Sequence, residues 1–215
     1  MAKPSTRRVG ANVKDGALVT ERREAIIGAA IAVFLEKGFH AATTRDVCVR
    51  AGITQGTLYN YVRTKEDILY LVCDQAATRY HEVIAAAVND VADPRERLVR
   101  MVRATVEAQV RFRNHILLIN REAHLLDARS RSAIQARADS FFNLVRSIVE
   151  AALPADDPRA AQASLLAEMV TFLPMMFAFR RWRIKGPAEK NIEATVQMVL
   201  RALGMQDTQA RRGVT

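Results

Sequence analysis

The sequence predicts an all-α chain, with a small N-terminal three-helix unit containing a helix-turn-helix and a larger unit of longer helices behind it. Three observations carry that expectation. Half of the 215 residues are hydrophobic, while only 9 are Gly and 6 are Pro, so apolar runs are seldom interrupted by helix breakers. Within those runs the apolar positions recur at three- and four-residue spacing. Several runs also open on Thr or Asp and close on Gly or Pro, the start and stop signals of helices. No strand pattern of useful length appears.

Residues 1–19 are polar, with Lys3, Arg7, Arg8 and Lys14, and read as a disordered basic arm. Thr20 is placed to cap a first helix, with Glu21 and Glu24 favourable in its first turn. Ile26, Ile27, Ala30 and Phe34 form its apolar stripe, and Gly38 closes it. Thr43 and Asp46 match a capping box for a short second helix that ends at Gly52. Thr54 caps a third, from Gln55 to Val62. Thr64, with Glu66 and Asp67, caps a long fourth from Lys65 towards Asn89. A boundary follows at residue 66, giving a helix-turn-helix domain over 20–66, a second domain over 67–204 and a loose tail over 205–215. Beyond Asp93-Pro94, long helices are expected over 94–113, 114–127, 130–152, 157–184 and 187–203. Pro174 kinks the fourth of these, and Lys185-Gly186-Pro187 separates the last two.

The net charge is +9 and the isoelectric point about 10.1, which favours polyanionic partners, nucleic acid foremost. That charge is spread along the chain, +4 over residues 1–70 and +5 over the rest. Cys48 and Cys73 lie in apolar helical context without a CxxC or a Cys/His cluster, and read as small buried hydrophobes. The apolar run after Arg22-Arg23 lacks the small-residue cleavage pattern of an export signal. No apolar stretch of membrane-spanning length is expected, so the reading is a soluble, cytoplasmic protein with no membrane partner. HExxH, GxSxG, aspartate-rich metal and phosphate-loop motifs are all missing, so neither an enzyme nor a metal or cofactor is expected. An all-α lipid or terpenoid enzyme is the remote alternative.

The informative stretch is "AGITQGTLYNYV", residues 51–62. A glycine inside a helix costs about 1 kcal/mol relative to alanine, so Gly56 asks for a reason. On a helical wheel Leu58 and Val62, with Ile53, face the first two helices. Gly56 and Asn60 fall opposite, flanked by Thr57 and Tyr59, with Gln55 and Tyr61 at the borders. That face is small, hydrogen-bonding and free of acidic residues. It suits a DNA major groove, where Gln pairs bidentately with adenine, Thr offers a hydroxyl and a methyl group, and Gly lets the backbone approach.

The wider stretch "TTRDVCVRAGITQGTLYNYVRTKEDIL", preceded by "RREAIIGAAIAVFLEKGF", resembles the DNA-binding region of the TetR family of bacterial transcriptional regulators over about residues 20–70. Gly38-Phe39, Thr43-Thr44, Ala51-Gly52, Gly56-Thr57-Leu58-Tyr59, Tyr61 and Lys65-Glu66 fall in register. Cys48 and Val62 depart from the usual alanine and phenylalanine. The resemblance implies that Thr44 and Arg45 touch backbone phosphate. Gln55, Gly56 and Thr57, with Asn60, would meet base edges, while Thr54, Tyr59, Tyr61 and Lys65 would hold the sugar-phosphate backbone. It also implies a homodimer through the last two long helices, whose stretch "LLAEMVTFLPMMFAF" is apolar around much of its circumference.

The middle helices are then expected to hold an apolar effector. Candidate linings are Met101, Thr105, Phe112, Leu118, Phe141, Leu144, Met169, Phe172, Met175, Met176 and Phe179. Arg121 and His124 are candidates to anchor a carboxylate or thioester carbonyl. "FRRWRIK" places Arg180, Arg181, Arg183 and Lys185 at an expected helix C-terminus, where they favour the dipole or clamp phosphates of an extended ligand. The expectation is a repressor released from a palindromic double-stranded operator by a small effector, with acyl-CoA thioesters and related carboxylic acid derivatives as the leading class. A DNA-binding regulator with no small-molecule inducer is the nearer alternative.

Overall fold

The structure, a computed structural model, describes residues 16–154 and 156–205. Among them are ten α-helices: α1 (Gly16–Lys37), α2 (Thr44–Ala51), α3 (Gln55–Tyr59), α4 (Lys65–Val88), α5 (Pro94–Arg111), α6 (Arg113–Glu122), α7 (Ala128–Ala152), α8 (Ala163–Phe172), α9 (Met176–Phe179) and α10 (Ala188–Ala202). The all-α expectation holds. Residues 1–15, with Arg7, Arg8 and Lys14 of the expected basic arm, and residues 206–215 of the expected tail lie outside the described residues.

The helix expected over 114–127 ends at Glu122 and is followed by a 3₁₀ turn over Ala123–Leu125. Three further boundaries differ from the sequence expectation, each for a local reason. Helix α1 starts at Gly16 instead of at Thr20. Residues 17–19 are Ala, Leu and Val, and Val19 packs against the core, so the helix continues through the threonine. Helix α3 stops at Tyr59 instead of Val62. There the Leu58 carbonyl accepts from both the Tyr61 and Val62 N–H groups (2.9 and 3.1 Å), a tightened turn that buries both side chains. The stretch expected as one helix over 157–184 is broken. A 3₁₀ turn over Pro158–Gln162 precedes α8, and another over Leu173–Met175 separates α8 from α9. Pro174, which has no N–H to donate, sits in that second turn as the predicted kink. Arg180–Lys185 therefore follow the helix in turns (Arg183 N to Arg180 O, 2.9 Å) instead of extending it.

Packing divides the chain into two compact units. One is formed by residues up to Thr78 together with Asn114–Arg137, the other by Arg79–Arg113 together with residues from Ala138 onward. Helices α4 and α7 contribute residues to both. The core of the first unit includes Ile26, Phe34, Val47, Leu58, Leu69 and Leu118. That of the second includes Leu98, Met101, Val102, Val149, Val196 and Leu200. Both cysteines are free and buried, and burial pushes the Cys73 thiol up to about 12.

One expectation on composition is corrected. Among the described residues the stretch Pro158–Phe179 is long and apolar enough, by length and composition alone, to cross a membrane. Its two 3₁₀ turns interrupt it, and Leu166, Ala167, Val170 and Phe177 are buried in the second core.

The start of α2 has the predicted capping box. The Thr43 hydroxyl accepts from Asp46 N–H (3.1 Å), and the Asp46 carboxylate accepts from Thr43 N–H (2.9 Å). Lys37 Nζ, from the end of α1, donates to the same carboxylate at 2.7 Å. The Lys37 hydrogen bond first, and then those from Thr43, hold the Asp46 carboxyl well below the usual carboxylate range. A carboxyl lowered in the folded state contributes stability that is present above its ordinary pKa and is lost as pH falls below it. Asp46→Asn is therefore expected to lower the thermal midpoint at neutral pH and to narrow the gap from wild type on acidification below about pH 4. A pH-independent gap in thermal melts contradicts this.

Candidate functional site

The turn between α2 and α3 is built by backbone chemistry that the sequence announces. Gly52 ends α2 in the left-handed region (φ +65°), where its N–H reaches the carbonyls of Cys48 and Val49. Glycine takes that conformation without a Cβ clash. Ile53 N–H then donates to Cys48 O at 3.0 Å. Thr54 is extended (φ −81°, ψ 158°), and its hydroxyl oxygen accepts from Thr57 N–H at 3.1 Å, capping α3. Leu58 is fully buried and fixes which side of the short helix faces inward.

The opposite side is left to solvent. Gln55, Gly56, Tyr59 and Asn60 are exposed there, Thr57 is half-buried, and Tyr59 shows about half of its surface (51%). Arg45 is exposed and Thr44 half-buried in the first turn of α2, where backbone N–H groups lack helical partners. At Gly56 an added Cβ would meet only the Thr54 hydroxyl, at 3.9 Å, and its φ is not positive. Neither space nor backbone conformation within the protein requires a glycine here.

Two of the residues expected at this surface face the protein instead. Tyr61 is buried in the core of the first unit. Lys65 Nζ donates to the carbonyls of Phe39 (2.7 Å), His40 (3.2 Å) and Ala42 (2.9 Å), and lies 4.5 Å from the centre of the Phe39 ring. An ammonium has three donors, and all three have partners in the α1–α2 connection. Periodicity places Lys65 at a helix start but gives no hint that the carbonyls after Gly38 converge on it.

The candidate effector residues are divided between the two units. In the second unit Met101, Thr105 and Phe112 are buried, Phe141, Leu144, Met175 and Met176 are half-buried, and Met169, Phe172 and Phe179 are exposed. Leu118 belongs to the core of the first unit, as Arg121 and His124 belong to the first unit itself. There Arg121 donates to Glu122 and to the Phe34 carbonyl, both at 2.6 Å, while His124 is exposed. Trp182 of the basic segment is 74% exposed, with the Arg183 guanidinium 5.3 Å from its ring centre.

Sequence reasoning missed Tyr80 and Gln109. Gln109 Nε2 donates to the Tyr80 hydroxyl (2.9 Å) and to the Thr171 carbonyl (3.2 Å). The Tyr80 ring packs edge-on to Phe112 and Phe141. Burial pushes the Tyr80 phenol above its ordinary range. The available signal was Thr105 and Gln109 at i and i+4, two polar residues within the apolar face of α5.

With this geometry in place, residues 26–70 match the family model of bacterial regulatory proteins of the tetR family. Residues 91–203, about half of the chain, match the Tetracyclin repressor-like C-terminal domain. The chain belongs to the TetR family. It is a TetR-family transcriptional regulator with an N-terminal helix-turn-helix region. It is 28% identical over 181 residues to the HTH-type transcriptional regulator HbdR of Aromatoleum sp. (strain CIB), covering 83% of this chain and 78% of that protein. It is 32% identical over 117 residues to the HTH-type transcriptional repressor KstR2 of Mycobacterium tuberculosis, covering 53% of this chain and 56% of that protein. Among solved structures, a tetR-family regulatory protein from Rhodococcus RHA1 superposes with a TM-score of 0.72 at 25% identity, over 87% of this chain and 99% of that one. AibR, solved with isovaleryl coenzyme A and operator DNA, shares the fold at a TM-score of 0.71 and 19% identity, over 82% of this chain and 97% of AibR.

The Lys65 geometry makes a specific demand. Hydrogen bonds to a charged group are worth about 1.5–3 kcal/mol when one partner is removed. Lys65→Met should therefore lower unfolding free energy in urea by about 2 kcal/mol. Stability equal to wild type would show that the lysine is not a structural clamp.

Proposed function

We propose that this TetR-family regulator is a ligand-responsive repressor, in which α3 of each of two copies enters the major groove of a palindromic operator. The observation that carries the reading is Gly56: exposed, without a positive φ, and with room for a Cβ that would meet only the Thr54 hydroxyl, at 3.9 Å. A helix whose own packing tolerates alanine keeps glycine where something outside the protein must come close to the backbone. Gln55 and Thr57 would then meet base edges, with Asn60 at the rim, while Thr44, Arg45, Thr54 and Tyr59 hold phosphates. Tyr61 and Lys65 support that surface from behind.

A homodimer fits the second unit. Leu165, Met169 and Phe172 are exposed at i, i+4 and i+7 on α8, and Met198 is exposed on α10. Such an apolar stripe is the signature of an interface. Two copies would place the reading helices about 34–36 Å apart, one turn of duplex.

For the effector we infer a small apolar compound, with acyl-CoA thioesters and related carboxylic acid derivatives as the class to test first. The residues that support it are those of the second unit: Met101, Thr105, Phe112, Phe141, Leu144 and Met176. AibR, whose structure contains isovaleryl coenzyme A, shares the fold. Occupancy of that region would shift the spacing of the two reading helices through α4 and α7, which contribute residues to both units.

The test is fluorescence anisotropy on DNA flanking the protein's own gene. Gly56→Ala should raise folding stability by about 0.5–1 kcal/mol and weaken DNA binding at least tenfold. Alanine that leaves affinity unchanged removes the argument for close approach. Titration with acyl-CoA thioesters and the matching free acids should release the wild-type protein. Binding that no compound disturbs keeps the DNA-reading helix and removes the effector.

A further inference from the structure

Among the described residues, helix α5 carries two buried side chains that each hold a polar atom without a partner. Thr105 Oγ1 has none, although the residue is fully buried. One turn on, Gln109 is 5% exposed; its amide nitrogen is used by the Tyr80 hydroxyl and the Thr171 carbonyl, and its Oε1 accepts from nothing. A side chain at i and one at i+4 lie on the same helix face. Buried polar atoms left unmatched are unfavourable, and a valine at 105 would match the threonine's shape while avoiding the unmatched hydroxyl. Around them stand Met101, one turn before Thr105 on α5, and the Tyr80–Phe112–Phe141 aromatic cluster. Tyr80 and Phe141 are only half-buried, and methionine yields readily to a guest.

The two unmatched atoms ask for different things. Gln109 Oε1 can only accept, while the Thr105 hydroxyl can donate. One hydroxyl group answers both: its hydrogen goes to Gln109 Oε1 and its oxygen accepts from Thr105. A thioester or ketone oxygen answers Thr105 alone. A carboxylate would set a negative oxygen against the Gln109 carbonyl, whose own N–H groups are already spent. Burial raises the Tyr80 phenol and outweighs the hydrogen bond from Gln109, which lowers it.

We propose that this polar pair is a subsite for the hydroxyl group of an otherwise apolar effector, bound in the second unit with its hydroxyl between Thr105 Oγ1 and Gln109 Oε1. The inference rests on the effector-binding reading above and names the group that reading leaves open. The subsite reads a hydroxyl carried on the apolar body of such a compound; a thioester or carboxylate head would lie elsewhere.

The probes are phenol and toluene, of matched shape, titrated against the full-length protein labelled with ¹³C-methyl methionine. Met101 is the reporter, assigned through Met101→Leu. Phenol should move the Met101 methyl resonance at about tenfold lower concentration than toluene, as one to two hydrogen bonds imply. Thr105→Val should remove that preference without lowering the thermal midpoint, and Thr105→Ser should retain it. Equal response to both compounds, no response to either, or a preference that survives Thr105→Val would each overturn the subsite; equal response is also what a water filling this role permanently would give. The measurement needs no DNA. An acyl thioester that releases the operator while phenol and toluene act alike would sink this inference and leave the effector reading standing. A phenol preference at Met101 in a protein that no compound releases from DNA would do the reverse.

Discussion

The exposed face of the helix-turn-helix depends on a helix too short to exist alone. Five residues form α3, and a single isolated turn does not recover the cost of its own nucleation. It is held by three local devices and one long-range one. Gly52 turns the chain, Thr54 caps the first turn, and the doubly accepting Leu58 carbonyl closes the last. Burial of Leu58 against Val47 and the rest of the first core sets the rotation. Were Leu58 unable to bury, the exposed face would lose its definition together with the helix.

The same economy extends to the supports behind it. Lys65 gathers three carbonyls that follow α1, and Arg121 takes the Phe34 carbonyl near the end of that helix. Arg23 and Arg137 both pair with Asp74 of α4, at 3.4 and 2.9 Å. These four cations thus serve as donors to fixed backbone and carboxylate acceptors. The basic balance of the chain therefore does not by itself mark a DNA-facing surface, and the proposed reading rests on the uncharged side chains of α3.

How much was legible in the sequence follows from the range of each interaction. The caps at Thr43, Thr54 and Thr64 and the stops at Gly38 and Gly52 were readable, because a cap and its N–H lie within about four residues of each other. The inward side of α3 was readable from Leu58, and the burial of Val62 just after it from the same spacing. The convergence on Lys65 was not, since its acceptors lie 23 to 26 residues earlier in the chain. Nor was the division of the candidate effector residues. Leu118, Arg121 and His124 have the same helical spacing and composition as residues of the second unit, yet they pack in the first. The break after Phe179 was hidden because arginine and tryptophan continue a helix as readily as they leave one, while Gly186, at φ +93°, marks only the end of the loop.

The central claim is that α3 reads bases from the major groove. Methylation protection by dimethyl sulfate tests it on the bound operator, because guanine N7 lies in the major groove and adenine N3 in the minor. The account predicts protection of N7 at two places about one helical turn apart, with N3 positions open. Protection confined to N3, or bound DNA with no protected N7, would contradict it.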